Sequence, residues 1–126
     1  NDADWCLSLT RTSEKAEKER YMGVGLSAEG RITSLQSEAS PLVNGGVYWV
    51  HPRVLGMLGA LSGEFPANDK MSLEDDILPA AAQEGHRLFG REFSGLFIDI
   101  GLPEDYRRAP SVLREWAGVG KEIPSC

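Results

Sequence analysis

Cysteine and histidine are scarce, with two of each in 126 residues. Cys6 and Cys126 stand near opposite ends, so the chain spells neither a zinc-ligand set nor a disulfide framework, and a reduced, cytoplasmic setting is the expectation. Cys6, inside Trp5-Cys6-Leu7-Ser8-Leu9, reads as a small buried hydrophobe. His51 and His86 are isolated and flanked by turn-like residues, a poor setting for a general base. Positive charge is also short: 13 Lys and Arg against 19 Asp and Glu leave a net charge of -6, which argues against nucleic acid as a partner, since such proteins carry a basic stripe. No apolar run approaches the roughly 20 residues of a membrane span, and no signal-peptide pattern occurs. Also missing is a strand followed by a glycine-rich loop and a helix, the usual opening of a nucleotide-binding α/β fold. The chain opens Asn1-Asp2-Ala3-Asp4 without a methionine, which raises the expectation of a fragment.

What is present is the composition of an ordinary folded domain, 41% hydrophobic and 25% charged, enough for one modest core spanning residues 1–126. Residues 5–11 alternate as a half-buried strand, and 13–20 form a solvated charge run. Met22–Ser27 and Arg31–Leu35 read as a hairpin whose turn takes its positive φ from Gly30. Val43–Val50 is strand-like and is expected to be central, and Pro52 suits the first turn of a helix through Leu58. Ser72-Leu73-Glu74-Asp75 is a capping-box-like start to a helix kinked at Pro79 and ending near Gly85. Arg87–Arg91 and Gly95–Ile100 are expected as strands, and Pro103 as the start of a helix divided at Pro110. Tyr48 and Trp49 read as core rather than as a stacking platform. Strands alternating with helices mean α/β.

Asp99 is the sharpest single residue. A carboxylate in the apolar run Leu96-Phe97-Ile98-Asp99-Ile100 needs a partner or a metal to offset its desolvation, or caps a neighbouring turn.

Gly95-Leu96-Phe97-Ile98-Asp99-Ile100-Gly101-Leu102-Pro103-Glu104-Asp105-Tyr106 resembles the G-x-F-x-D-I-G-T-P-E-D-Y signature of the sugar-1-phosphate nucleotidyltransferases. Upstream, Leu42-Val43-Asn44-Gly45-Gly46-Val47-Tyr48 resembles their I-N-A-G-I-Y segment, and Ser72-Leu73-Glu74-Asp75-Asp76-Ile77-Leu78-Pro79 their S-L-E-x-D-x-L-P segment. The flavour is that of the mannose- and heptose-1-phosphate guanylyltransferase branch. The resemblance implies a partial Rossmann-like nucleotidyltransferase fold, a mixed sheet with flanking helices, lacking its first βαβ units. It implies transfer of a nucleotidyl group from a nucleoside triphosphate to a sugar 1-phosphate, with magnesium neutralising phosphate charge. Matched position by position, Asp99 falls on a metal-binding aspartate and Asn44 on the asparagine that hydrogen-bonds sugar hydroxyls. Gly45 and Gly46 would admit the sugar close to the backbone, and Glu74 would face it.

The departures bear on activity. The glycine-rich loop, its arginine and the first metal aspartate of the family are not in this chain. Tyr21 is followed by Met22 where the family has glycine. The family's glutamate-lysine pair falls on Ser37-Glu38 or on Glu38-Ala39, so Glu38 reaches the sugar-phosphate position but the lysine is gone. Losing that cation removes a charge-assisted contact of about 1.5–3 kcal/mol. Leu102 replaces a capping threonine, at a cost of about 1 kcal/mol. The expectation is an inactive isolated chain, or alternatively a non-catalytic sugar-phosphate-binding or self-associating module. Its partners would be a sugar 1-phosphate and either the complementary half of the fold or a second copy through an uncovered sheet edge.

Overall fold

In a computed structural model that describes residues 2–12, 21, 23–62 and 70–119, the chain forms two compact units, Asn1–Phe93 and Ser94–Cys126. The charge run 13–20, Met22 and Cys126 lie outside the described residues.

The first unit is built on β1 (Trp5–Arg11), whose alternation is literal: Trp5, Leu7 and Leu9 are at most 1% exposed, while Cys6 and Ser8 between them are only partly buried. Burying each such side chain contributes about 1.5–3 kcal/mol, and this strand therefore takes the centre of the sheet. β4 (Leu42–Val50) pairs with it antiparallel and β5 (Leu88–Glu92) pairs parallel, in the order β4-β1-β5. The expectation that 43–50 would be central is thus corrected. Tyr48 reaches the edge of the core but Trp49 is 52% exposed, so β4 has one buried face rather than two.

β2 (Gly25–Leu26) and β3 (Ile32–Ser34) form the expected hairpin, turned at Gly30 with φ +81°. Its tip docks on β5: the Gly90 N–H donates to the Gly30 carbonyl at 2.9 Å. Gly90 is glycine because a Cβ there would stand 2.5 Å from Leu9 Cδ1 and 2.8 Å from Leu26 Cδ2.

After β4, the His51 Nδ1 accepts from the Arg53 N–H at 3.2 Å and so caps α1 (Pro52–Ser62), with Pro52 opening its first turn. The core between sheet and helices gathers Val54 from α1, and Leu78 and Ala81 from α2 (Leu78–Gln83). His86 is buried as well, and its Nδ1 accepts from the Trp5 indole N–H at 3.2 Å. Both histidines therefore have structural hydrogen bonds. Among the described residues, no helix is long and apolar enough to cross a membrane.

The second unit corrects two expectations. Gly95–Ile100 is not a strand: among its described residues the unit holds no strand for that segment to pair with, and it runs as turn and irregular chain into α3. α3 (Pro103–Val119) is continuous through Pro110. Proline lacks an N–H and crowds the preceding turn, yet one such residue does not break a helix of 17 residues.

Candidate functional site

Two backbone irregularities in the first unit meet at one polar cluster. The first is a bulge in β4. Leu7 pairs with Tyr48 and Leu9 with Asn44, so Ser8 alone stands opposite Gly45, Gly46 and Val47. Two extra residues preserve the parity of the strand, and Asn44 and Tyr48 stay on the same face as Leu7 and Leu9. The bulge is closed by side chains: Asn44 Oδ1 accepts from the Gly46 N–H at 3.0 Å, and Ser8 Oγ from the Val47 N–H at 3.3 Å.

The glycines fit this shape for different reasons. Gly46 has φ +74° with nothing within 4 Å of where a Cβ would be, so its backbone conformation is the constraint. At Gly45 the constraint is space, since a Cβ would meet Ser8 Oγ at 2.9 Å and Phe93 Cε1 at 3.0 Å.

The second irregularity is a π-helical turn, Leu73–Ile77, which precedes α2. Ser72 caps it as the sequence predicts, its Oγ accepting from the Asp75 N–H at 3.1 Å. The wider turn changes the reciprocal partner: Asp76, rather than the residue three beyond the cap, accepts from the Ser72 N–H at 2.8 Å. With Pro79 just behind, unable to donate into the turn, the first turn widens instead of kinking the helix.

Glu74 is carried on that turn toward β4. Its Oε1 accepts from the Tyr48 hydroxyl at 2.5 Å and from Asn44 Nδ2 at 3.2 Å, and Asn44 Nδ2 also donates to Tyr48 Oη at 2.5 Å. Burial, and then the bond to Glu74, push the Tyr48 phenol up to about 12, opposed by the donation from Asn44. The hydroxyl is a firm donor at neutral pH.

The fold therefore brings Asn44, Gly45, Gly46 and Glu74 together and adds Tyr48. The signal for Tyr48 lay in the pattern: residues 44 and 48 share a face, and Gly-Gly between them marks a bulge. Glu38 lies elsewhere, exposed in the turn between Ser37 and Ser40. Asp99 belongs to the second unit and is partly buried in a turn. Its Oδ1 accepts from the Gly101 N–H at 2.9 Å and its carbonyl from the Leu102 N–H at 3.3 Å. Asp99 is not embedded in a strand, so its place in the apolar run does not by itself demand a ligand. Among the described residues, no three His, Cys, Asp or Glu side chains gather as a metal site.

Two solved structures superpose on most of the chain. HddC from Yersinia pseudotuberculosis matches with a TM-score of 0.61 at 23% identity, over 89% of this chain and 45% of its own. CMP:2-keto-3-deoxy-manno-octonic acid synthetase, solved with CTP, matches with a TM-score of 0.59 at 15% identity, over 90% and 50%. The fold is a Rossmann-like nucleotidyltransferase fold. In sequence the chain is similar to mannose-1-phosphate guanylyltransferase catalytic subunit beta of Xenopus tropicalis, 38% identical over 64 residues, 51% of this chain and 15% of that protein. It is also similar to mannose-1-phosphate guanyltransferase beta-B of Xenopus laevis, 35% identical over 95 residues, 71% of this chain and 24% of that protein. The chain is thus nucleotidyltransferase-like in both sequence and fold, and it spans less than a quarter of those relatives and about half of each structural neighbour. No protein-family profile matches it.

Proposed function

We propose that this chain is the sugar-phosphate-handling part of a sugar-1-phosphate nucleotidyltransferase and that it does not catalyse the transfer alone. The observation that carries the reading is the cluster of Asn44, Tyr48 and Glu74, built where a bulged strand and a π turn converge. Irregularities of both kinds concentrate at functional sites. Relatives that act on mannose 1-phosphate make that sugar the first candidate.

Magnesium enters the proposal through Asp99. With no three-residue acidic or histidine set among the described residues, Asp99 would be one protein ligand, and phosphate oxygens and water would complete the shell, as is usual for this ion. The metal's part would be to neutralise phosphate charge. Asp99 Oδ1 already holds the Gly101 N–H, which fixes the carboxylate's orientation.

Isothermal titration with mannose 1-phosphate and magnesium should give binding heat that Asn44→Ala removes. A pyrophosphate-release assay with GTP and mannose 1-phosphate should stay at background. Silence toward both mannose 1-phosphate and glucose 1-phosphate sinks the sugar-phosphate reading, and turnover by the chain alone sinks the claim of inactivity.

A second reading, a standalone non-catalytic module, is favoured by the loss of the family's lysine, whose position falls on Glu38 or on Ala39, and by Met22 beside Tyr21. Adding a polypeptide with the glycine-rich half separates the two: restored turnover supports the first, and binding without turnover the second.

A further inference from the structure

The orientation of the Asn44 amide is fixed by a neighbour that can only donate. The Gly46 N–H points at one terminal atom from 3.0 Å, so that atom is Oδ1 and the other is Nδ2. Nδ2 donates toward Tyr48 Oη at 2.5 Å and Glu74 Oε1 at 3.2 Å, and these two oxygens lie only 2.5 Å apart, so one amide hydrogen faces both and the other points away from the pair. Tyr48 Oη accepts from the amide and gives its own hydrogen to the same carboxylate oxygen. The Tyr48 hydrogen and one Asn44 amide hydrogen are therefore directed within the cluster. Outward there remain one Asn44 amide hydrogen and lone pairs on Asn44 Oδ1, on Tyr48 Oη and on the second oxygen of Glu74. Asp75 and Asp76 follow Glu74 in the same turn and add negative charge.

We propose that Tyr48 is a positioning residue that locks Asn44 and Glu74 into one arrangement, in which the Glu74 carboxylate, backed by Asp75 and Asp76, gives the cluster its negative, hydrogen-bond-accepting face. Such a surface takes the hydroxyl hydrogens of a sugar ring and repels phosphate or carboxylate oxygens. The phosphate of a sugar 1-phosphate is then held away from these three residues. The ligand's identity rests on the sugar-phosphate reading, whereas the positioning role of Tyr48 stands or falls without it.

The test uses nuclear magnetic resonance of the full chain, following the Asn44 side-chain amide and the Tyr48 ring. Tyr48→Phe keeps the ring and removes only the hydroxyl. The Asn44 amide protons should move to solvent-like positions with faster exchange, while Tm changes by no more than a few degrees. Loss of one such hydrogen bond should weaken mannose 1-phosphate binding by about tenfold. Asn44 signals that stay in place in Tyr48→Phe overturn the positioning role.

Glu74→Gln supplies an independent measurement should the first variant fold poorly: Tyr48 should then titrate at lower pH than in the unsubstituted chain, and an unchanged titration overturns the lock. Inorganic phosphate at millimolar concentration should leave the Asn44 and Tyr48 signals unmoved, and a shift there refutes the exclusion of anions. If the amide signals respond to Tyr48→Phe but no sugar phosphate binds the unsubstituted chain, the lock is upheld and the sugar-phosphate function is what fails.

Discussion

Asp4 ties together three separate stretches of chain through one carboxylate. Its Oδ2 accepts from the Arg87 N–H at 2.7 Å and its Oδ1 from Arg53 Nε at 2.7 Å, while its backbone bonds the Arg87 carbonyl and the His51 N–H. The Arg87 N–H first, and then Arg53, hold its carboxyl at about 2 against an ordinary 3.8. A depressed acid stabilises the fold above its unfolded value, and the contribution is lost as pH falls through the folded one. Asp4→Asn should therefore cost about 1.5–3 kcal/mol near neutrality, and the urea midpoints of the two proteins should converge between pH 4 and pH 2. A gap that persists at pH 2 would mean the cost is steric. Tyr48 runs the other way. Its raised phenol means that the folded state binds more protons between 10 and about 12, so stability declines as pH rises through that window. Residue roles set by near neighbours, such as the Ser72 cap and the Gly30 turn, were legible in the sequence. Asp4 was not, because its partner Arg87 lies 83 positions away, and for Tyr48 the strand pattern marks the face it shares with Asn44 but not its partner Glu74, 26 positions on.

Elements differ in how much of their shape is local. β1 was readable from alternation alone, whereas Gly95–Ile100 has the composition of a strand but, among the described residues of its unit, no strand to pair with. The β4 bulge was half visible: Gly45-Gly46 marks it, but its width is set by Ser8 on the facing strand. Two substitutions separate space from conformation there. Gly46→Ala meets no atom and should cost only the penalty for positive φ, about 1–2 kcal/mol. Gly45→Ala presses on Ser8 and Phe93 and should cost about 1–3 kcal/mol. Because it displaces the Ser8 hydroxyl from the Val47 N–H, it should also disturb the Asn44 amide signals. Denaturant unfolding and amide exchange measure the two effects, and equal behaviour of the variants would refute the distinction. In α3, Pro110→Ala restores a donor and removes a clash. It should raise helix content by circular dichroism and stabilise the second unit, since proline inside a helix costs about 3 kcal/mol relative to alanine.

At the scale of the molecule, half of the fold its structural neighbours share is represented here, and the described sheet ends in β4. The Gly23–Val43 bridge covers the start of that strand, but from the bulge onward Val47 is 66% and Trp49 52% exposed. Apolar residues on an edge strand are a template for pairing with another strand unless charge or a bulge blunts it. The bulge interrupts this edge at Gly45–Val47 and leaves Tyr48–Val50 regular. Self-association through β4 is therefore the expected state of the isolated chain. Sedimentation velocity should find a species of twice the 13.8 kDa chain mass. Replacing Val47 and Trp49 together by lysine should return it to monomer, because like charges brought edge to edge repel. A polypeptide carrying the complementary half of the fold should also displace the second copy, if it pairs along the same edge. A single 13.8 kDa species over the whole concentration range would show that the edge is closed within one chain.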